Sequence, residues 1–342
     1  MKRQRDPLTY AASGVDIAAG ERAVALMRAA VEATHGRNVL GGIGGFAGLW
    51  ALDLDAARWR APVLASAADG VGTKLLVAQA LDRHDTVGLD LVGMVVDDLV
   101  VCGARPLFLL DYLAVGKLVP ERVATIVEGV AAGCRQAGCA LLGGETAEHP
   151  DAMSPDDYDL AGFAVGLVER ERLLGPERVR PGDVLLALAS SGLHANGFAL
   201  ARRVLARAGV GYDQDFPELG RSIGEALLEP TRIYAPHLLA LLDAGVEVHA
   251  LCHVTGGGLP GNLPRSLPAG LVPRIDWASW APPAIFGLLA ALGPVEQAEM
   301  RRATNLGVGM VAVLPAAEAD RAGRLLEARG LPTWVLGEVV PG

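Results

Sequence analysis

The sequence predicts an α/β protein made of two α/β halves that meet near residue 170. Three observations carry this. Apolar runs short enough for strands alternate with stretches of helical periodicity along the whole chain. Residues 169–183 are rich in charge and broken by Gly175, Pro176, Pro181 and Gly182, as a linker would be. The 342 residues also exceed what one ordinary core holds, at about 150 residues per domain.

In the first half, Val24, Met27, Ala30 and Val31 recur at helical spacing and predict an amphipathic helix over 20–33. A glycine-dense loop follows at 41–48. Then come a strand at 63–67, a helix at about 86–102, a strand at 107–113, a helix at 120–137 and strands at 140–142 and 160–168. The second half opens with a strand at 183–189. Its helices are predicted near 197–208, 231–244, 283–292 and 316–329, with strands near 247–252, 271–275, 306–314 and 333–340.

Composition excludes several function classes. With 51 % hydrophobic and 20 % charged residues, the chain has material for a sizeable core and too little charge for disorder. Its net charge of −9 provides no field to gather nucleic acid or anionic lipid. No apolar run approaches the roughly 18 residues that span a bilayer. The basic start at 1–7 is not followed by the apolar run of a secretory signal, so the expected compartment is the cytoplasm. Cys102, Cys134, Cys139 and Cys252 form no C-x-x-C pair and read as free thiols. Of the 30 basic residues only Lys2, Lys74 and Lys117 are lysine, which singles out Lys74 as a place where a compact ammonium is required.

Several segments can carry chemistry. In D-G-V-G-T-K at 69–74, Asp69 at a strand end can hold a divalent cation, Gly70 and Gly72 admit an anion to the backbone, and Lys74 can neutralise a phosphate. An Asp-Gly turn with a surface lysine is the plain alternative. Residues 42–47 fit a dinucleotide fingerprint, but a helix precedes them and a strand follows, the reverse of the order such a turn needs. Asp90 and Asp97 lie two turns apart on one face of a helix apolar almost all round, with Asp98 beside them; metal binding is favoured over a salt-bridged cluster. G-G-E-T-A-E at 143–148 reads as a strand-end loop where Glu145 and Glu148 reach one cation, and His149 as a solvated side chain. Ser190, Ser191 and the amides of the helix after Gly197 suggest a phosphate cradle with His194 as donor, Asn196 being an N-cap on the plain reading. His253, Thr255 and Gly256 repeat that pattern after another strand. No hydrolase triad and no H-E-x-x-H motif is present.

Taken in order, S-G-V-D-I-x-A-G at 13–20, G-G-I-G-G-F at 41–46, D-G-V-G-T-K at 69–74, G-G-E-T-A-E at 143–148, G-L-H-x-N-G at 192–197, P-T-R-I-Y at 230–234, H-V-T-G-G-G at 253–258 and N-L-G-V-G-M at 305–310 resemble the phosphoribosylformylglycinamidine cyclo-ligase (aminoimidazole ribonucleotide synthetase) family. The resemblance implies an ATP-dependent ligase of purine synthesis that closes formylglycinamidine ribonucleotide to aminoimidazole ribonucleotide through an iminophosphate. It implies a homodimer whose N-terminal domains (1–168) share a β-barrel, with a C-terminal domain (169–342) built on a mixed sheet flanked by helices. Asp69, Asp98 and Glu145 would ligate Mg2+, with Asp97 left open as a further ligand and K+ as a further cation. Lys74 would meet the triphosphate, and Asp69, His194 and His253 would join it in catalysis. Gly41, Gly42, Gly44, Gly45, Gly70, Gly72, Thr73, Gly143 and Gly144 would bind ATP phosphates; Ser190, Ser191, His194, Asn196, Thr255 and Gly256 would bind the nucleotide substrate. Departures from the family pattern include Asp97 where asparagine is usual, Ala18 for aspartate and His149 for methionine. A non-catalytic nucleotide-binding relative would lack one of Asp69, Lys74, Asp98 or Glu145, and all are present.

Overall fold

The computed structural model describes residues 13–43, 45, 47–55 and 59–342. The basic start at 1–7 and Gly44 lie outside the described residues. The first half runs α1 (Ile17–Glu32), a short ladder of β1 (Val39–Leu40) with β2 (Leu49–Trp50), β3 (Pro62–Gly70), α2 (Leu75–Leu81), α3 (Val87–Val100), β4 (Arg105–Val115), α4 (Pro120–Ala137), β5 (Ala140–Glu148) and β6 (Tyr158–Glu169). The second half continues with β7 (Val184–Ala189), α5 (Phe198–Ala208), β8 (Asp215–Phe216), β9 (Arg221–Ser222), α6 (Ile223–Leu227), α7 (Ala235–Asp243), β10 (Ala250–His253), α8 (Gly258–Asn262), β11 (Leu271–Ile275), α9 (Ala284–Leu292), α10 (Gln297–Ala303), β12 (Val308–Leu314), α11 (Ala319–Glu327) and β13 (Thr333–Pro341).

Local chemistry explains the main boundaries. Asp16 caps α1 by accepting from the Ala19 amide. Pro120 opens α4, and Gly138 in the left-handed region (φ 74°) closes it. The apolar helix α3 is buried on nearly every side, between its sheet, α4 and the second half. Gly88 permits the α3–α4 crossing, since a Cβ there would collide with the backbone at Gly129 and Val130.

The first sheet has the order β3–β6–β4–β5. Its β4–β5 pair is parallel, joined through α4 as a βαβ unit, and its other pairs are antiparallel. Helices α3 and α4 cover one face. Residues level on neighbouring strands share a face, so Asp69, Gly162, Asp111 and Gly144 point one way, and Gly70, Ala161, Tyr112 and Glu145 the other. The second sheet, β10–β12–β7–β13–β11, is antiparallel at every pairing, so the expected mixed sheet lies in the first half instead.

Strand β5 continues to Glu148, six residues past its predicted end. Gly143 and Gly144 therefore sit in a strand, where the Asp111 side chain fills the space a Cβ on Gly144 would need. The short elements β8, β9, α6, α8 and α10 are absent from the predicted order, being too brief to show a period.

Candidate active site

Three sequence-predicted residues meet where the two halves join. Asp69 ends β3, Asp98 projects from α3, and His253 ends β10. His253 Nδ1 lies 2.9 Å from Asp98 Oδ1, and its Nε2 is buried without a protein partner. Burial acts to lower the His253 pKa, but the hydrogen bond to Asp98 and the charges of Asp97, Asp98 and Asp69 outweigh it and raise it. Asp69 accepts from the Gly70 amide at 2.7 Å; burial, with Asp98 nearby, raises its pKa. Asp98 is 46 % exposed, and Asp69, Gly72 and Thr73 are exposed as well.

Lys74 departs from its expected role. Its ammonium is fully buried and gives all three N–H groups to the protein: Asp90 Oδ1 at 2.8 Å, the His194 carbonyl at 3.0 Å and the Glu229 carbonyl at 2.7 Å. None remains for a triphosphate. Asp90 also accepts from the Thr231 amide (2.7 Å) and hydroxyl (2.6 Å). Asp97 accepts from the Tyr234 amide at 3.0 Å and the Ala235 amide at 2.8 Å, at the start of α7. The predicted common face of Asp90 and Asp97 exists, but it binds backbone of the second half; the contacts of Asp90 all fall on Oδ1, and its Oδ2 is buried without a hydrogen-bond partner.

The loop 190–197 is folded on itself. Ser190 Oγ donates to the Gly192 carbonyl at 2.9 Å and Ser191 Oγ to the Pro230 carbonyl at 2.6 Å, so both hydroxyls are committed internally. Asn196 makes no side-chain cap; Gly197, at φ 81°, occupies that position of α5. His194 is buried at φ 64°, and its Nε2 accepts from the Ser191 amide at 3.2 Å, which places the proton on Nδ1. Burial, with His253, Lys74 and Arg232 nearby, holds its pKa well below the usual histidine range. Gly309 allows this ring and the Tyr234 hydroxyl to approach the β12 backbone, because a Cβ there would strike both. Asn305, missing from the predicted site, fixes the loop by donating to the Gly192 carbonyl at 2.9 Å. Thr255 sits beside Asn262, with its hydroxyl 3.5 Å from Asn262 Oδ1, and Gly256 is exposed with open space around it.

A concavity of about 890 Å³ lies between α1, residues 42, 43, 45, 47 and 48, and β5. It gathers Gly42, Gly45, Gly143, Gly144 and Glu145, so the two glycine motifs converge. Gly41 precedes it at φ 87° in open space. Arg28 and Asp111 also line it and carried no sequence signal. Burial pushes the Asp111 carboxyl up to about 7. Glu145 stands three strands from Asp69 and on the opposite face, roughly 14 Å away at ordinary strand spacing. Glu148, an odd number of residues further on, faces away from Glu145 and accepts from the Asp16 and Leu118 amides at 2.7 and 2.8 Å. The expected Asp69–Asp98–Glu145 set is therefore not assembled within one chain. Among the described residues, no group of three or more His, Cys, Asp or Glu is arranged to hold a metal. His149 bonds the Tyr112 hydroxyl at 3.0 Å instead of being free in solvent.

The description "AIR synthase related protein, N-terminal domain" matches residues 54–168, and "AIR synthase related protein, C-terminal domain" matches 180–342. The phosphoribosylformylglycinamidine cyclo-ligase of Sorangium cellulosum is 54 % identical over 335 residues, covering 97 % of this chain and 95 % of that protein. The one from Pseudothermotoga lettingae is 50 % identical over 334 residues, covering 98 % and 97 %. Solved structures share the fold at lower identity. Thiamine-monophosphate kinase from Stenotrophomonas maltophilia matches with TM-score 0.66 at 21 % identity over 94 % of both chains. A hydrogenase maturation protein HypE in complex with ATP matches with TM-score 0.62 at 17 % identity, over 94 % of this chain and 86 % of that one. Two family models over both halves, and relatives at half identity along almost the whole length, show that the chain belongs to the phosphoribosylformylglycinamidine cyclo-ligase family.

Proposed function

We propose that this chain converts formylglycinamidine ribonucleotide and ATP to aminoimidazole ribonucleotide, ADP and phosphate in purine synthesis. The observation that supports this best is the half-exposed pair Asp69 and Asp98, set at the meeting of the two halves beside exposed Gly72 and Thr73. An amide oxygen is a poor leaving group. ATP first transfers its γ-phosphoryl group to the formyl oxygen and ADP leaves; the ring-closing nitrogen then attacks that carbon, loses a proton, and the C–O bond breaks to release phosphate. Such transfer depends on positioning and on spreading charge.

Asp69 and Asp98 fit Mg2+, which needs only one or two carboxylates when phosphates and water complete its shell. Bound there, Mg2+ would neutralise phosphate charge. His253, oriented by Asp98, keeps Nε2 available at the same place. The amides of Gly72 and Thr73 serve the phosphates, the Gly70 amide being given to Asp69. Gly42, Ile43 and Gly45, with Gly143, Gly144, Arg28 and Asp111, supply a concavity for ATP that would face Asp69 and Asp98 of a second copy rather than those of the same chain. Loop 190–197 with Thr255 and Gly256 serves the ribonucleotide through backbone and ring atoms, since its serine hydroxyls are spent. Residues 1–168 and 169–342 act as the two functional domains.

The functional unit we propose is a homodimer. Leu64, Phe163 and Tyr112 are 59 %, 43 % and 43 % exposed on the sheet face opposite α3 and α4, an apolar surface suited to a second copy and a shared barrel. Glu145 points to that face, so any metal role for it belongs to the pair. No helix among the described residues is long and apolar enough to cross a membrane; the cytoplasm is the proposed location, and K+ is a second cation to be tested.

The test is turnover with formylglycinamidine ribonucleotide, ATP and Mg2+. One phosphate released per aminoimidazole ribonucleotide formed supports the assignment. Unconverted substrate, under conditions where a control enzyme works, refutes it.

A further inference from the structure

We propose that Lys74 is a positioning residue, which acts with Asp90 to tie the first half to two loops of the second and so sets the 190–197 loop against Asp69 and Asp98. Its kinetic consequence rests on the function proposed above; the structural one does not.

Three observations carry the inference. First, the acceptors of Lys74 come from three separate places: Asp90 on α3, His194 in the loop after β7, and Glu229 before α7. A tetrahedral ammonium serves three acceptors around one point, and a planar guanidinium does not. That accounts for a lysine here in a chain whose basic residues are otherwise almost all arginine. Second, the loops are tied to each other as well. Ser191 Oγ donates to the Pro230 carbonyl at 2.6 Å, and Thr231 gives both its donors to the Asp90 oxygen that Lys74 holds. Third, the carbonyl that Lys74 holds belongs to His194, whose backbone is in the left-handed region at φ 64°, unusual for a residue with a Cβ. Such a conformation persists only where its surroundings fix it. The Lys74 ammonium also lies 5.5 Å from the Phe198 ring centroid, at the first turn of α5. One buried charge pair thus reaches the loop at His194 and the helix that follows it at Phe198.

The K74M/D90N double variant removes both charges together, so neither is left buried alone, and the side-chain amide oxygen introduced at position 90 still accepts from Thr231. The expected result is a KM for ATP within about threefold of the parent and a kcat at least about thirtyfold lower. Amide hydrogen exchange should rise about tenfold or more at 190–197 and 229–234 while 140–148 is unchanged. K74R, which keeps the charge, should fail to restore kcat. A double variant with parental kcat overturns the proposal. So does a tenfold rise in KM for ATP with kcat kept, which would mean direct phosphate contact.

A labelling experiment on the unmodified protein covers the case in which the variants do not fold. An amine-acetylating reagent should modify exposed Lys117 and leave Lys74 untouched, with or without ATP. Labelling of Lys74 that ATP suppresses would overturn the proposal. If the unmodified protein makes no product, the functional reading falls, while exchange and labelling still report on the tie.

Discussion

Adjacent carboxylates on α3 meet opposite surroundings. Asp97 is fully buried and accepts backbone amides of Tyr234 and Ala235. Asp98, one residue later, is 46 % exposed and touches the side chain of His253. A step of about 100° along the helix separates a carboxylate used to hold two parts of the chain together from one open to a ligand. The same division applies in the 69–74 segment, where Asp69 reaches the surface and Lys74 is enclosed. Charge in a binding motif therefore says less about chemistry than the partners that burial supplies.

The comparison can be broken in several ways. The largest expected effect is at Asp69: Asp69→Asn should lower kcat by about 10²-fold or more and leave the melting temperature unchanged, since the side chain is exposed. Steady-state kinetics with a thermal melt of the same sample decides this. Next, Asp97→Ala removes an acceptor from two buried amides and should cost about 2–3 kcal/mol in denaturant unfolding.

A smaller effect concerns Asp111, whose burial raises its carboxyl to about 7. A raised carboxylate pKa favours the folded state while protonated, and that contribution is lost as pH rises from about 4 through 7. Asp111→Asn should therefore melt several degrees above the parent at pH 8 and nearly with it at pH 4. Equal melting temperatures at both pH values would contradict the burial argument. The gentlest change is Phe163→Asp on the open sheet face, which should convert the proposed dimer to a folded monomer in sedimentation velocity, with near-native circular dichroism.

Much of the fold was legible because periodicity and capping are local. Helix α4 spans the predicted 120–137, opened by Pro120 and closed by Gly138, and β11 spans the predicted 271–275. Strand β5 was cut short because Gly143-Gly144 looks like a turn in isolation. Only the Asp111 side chain on the neighbouring strand shows why glycine is needed inside it.

The site was legible to the same depth. Helical spacing put Asp90 and Asp97 on one face, but their partners at Thr231, Tyr234 and Ala235 come from about 140 residues away, beyond any local pattern. For Lys74, composition marks the position, but its three acceptors come from parts of the chain that no local pattern joins. Arg28 and Asp111 gave no sign, since only the folded chain places them in one concavity.

The division of labour on α3 is tested most directly by comparing Asp97→Asn with Asp98→Asn, two isosteric losses of charge one residue apart. Asparagine at 97, the usual residue in the family pattern, keeps an acceptor for the Tyr234 and Ala235 amides and removes a charge whose burial lifts its pKa to about 7. The measurement is kcat for both variants at pH 8. The account predicts turnover within about twofold of the parent for Asp97→Asn and at least about 10²-fold lower for Asp98→Asn. Equal losses in the two variants, or a greater loss at 97, would contradict it.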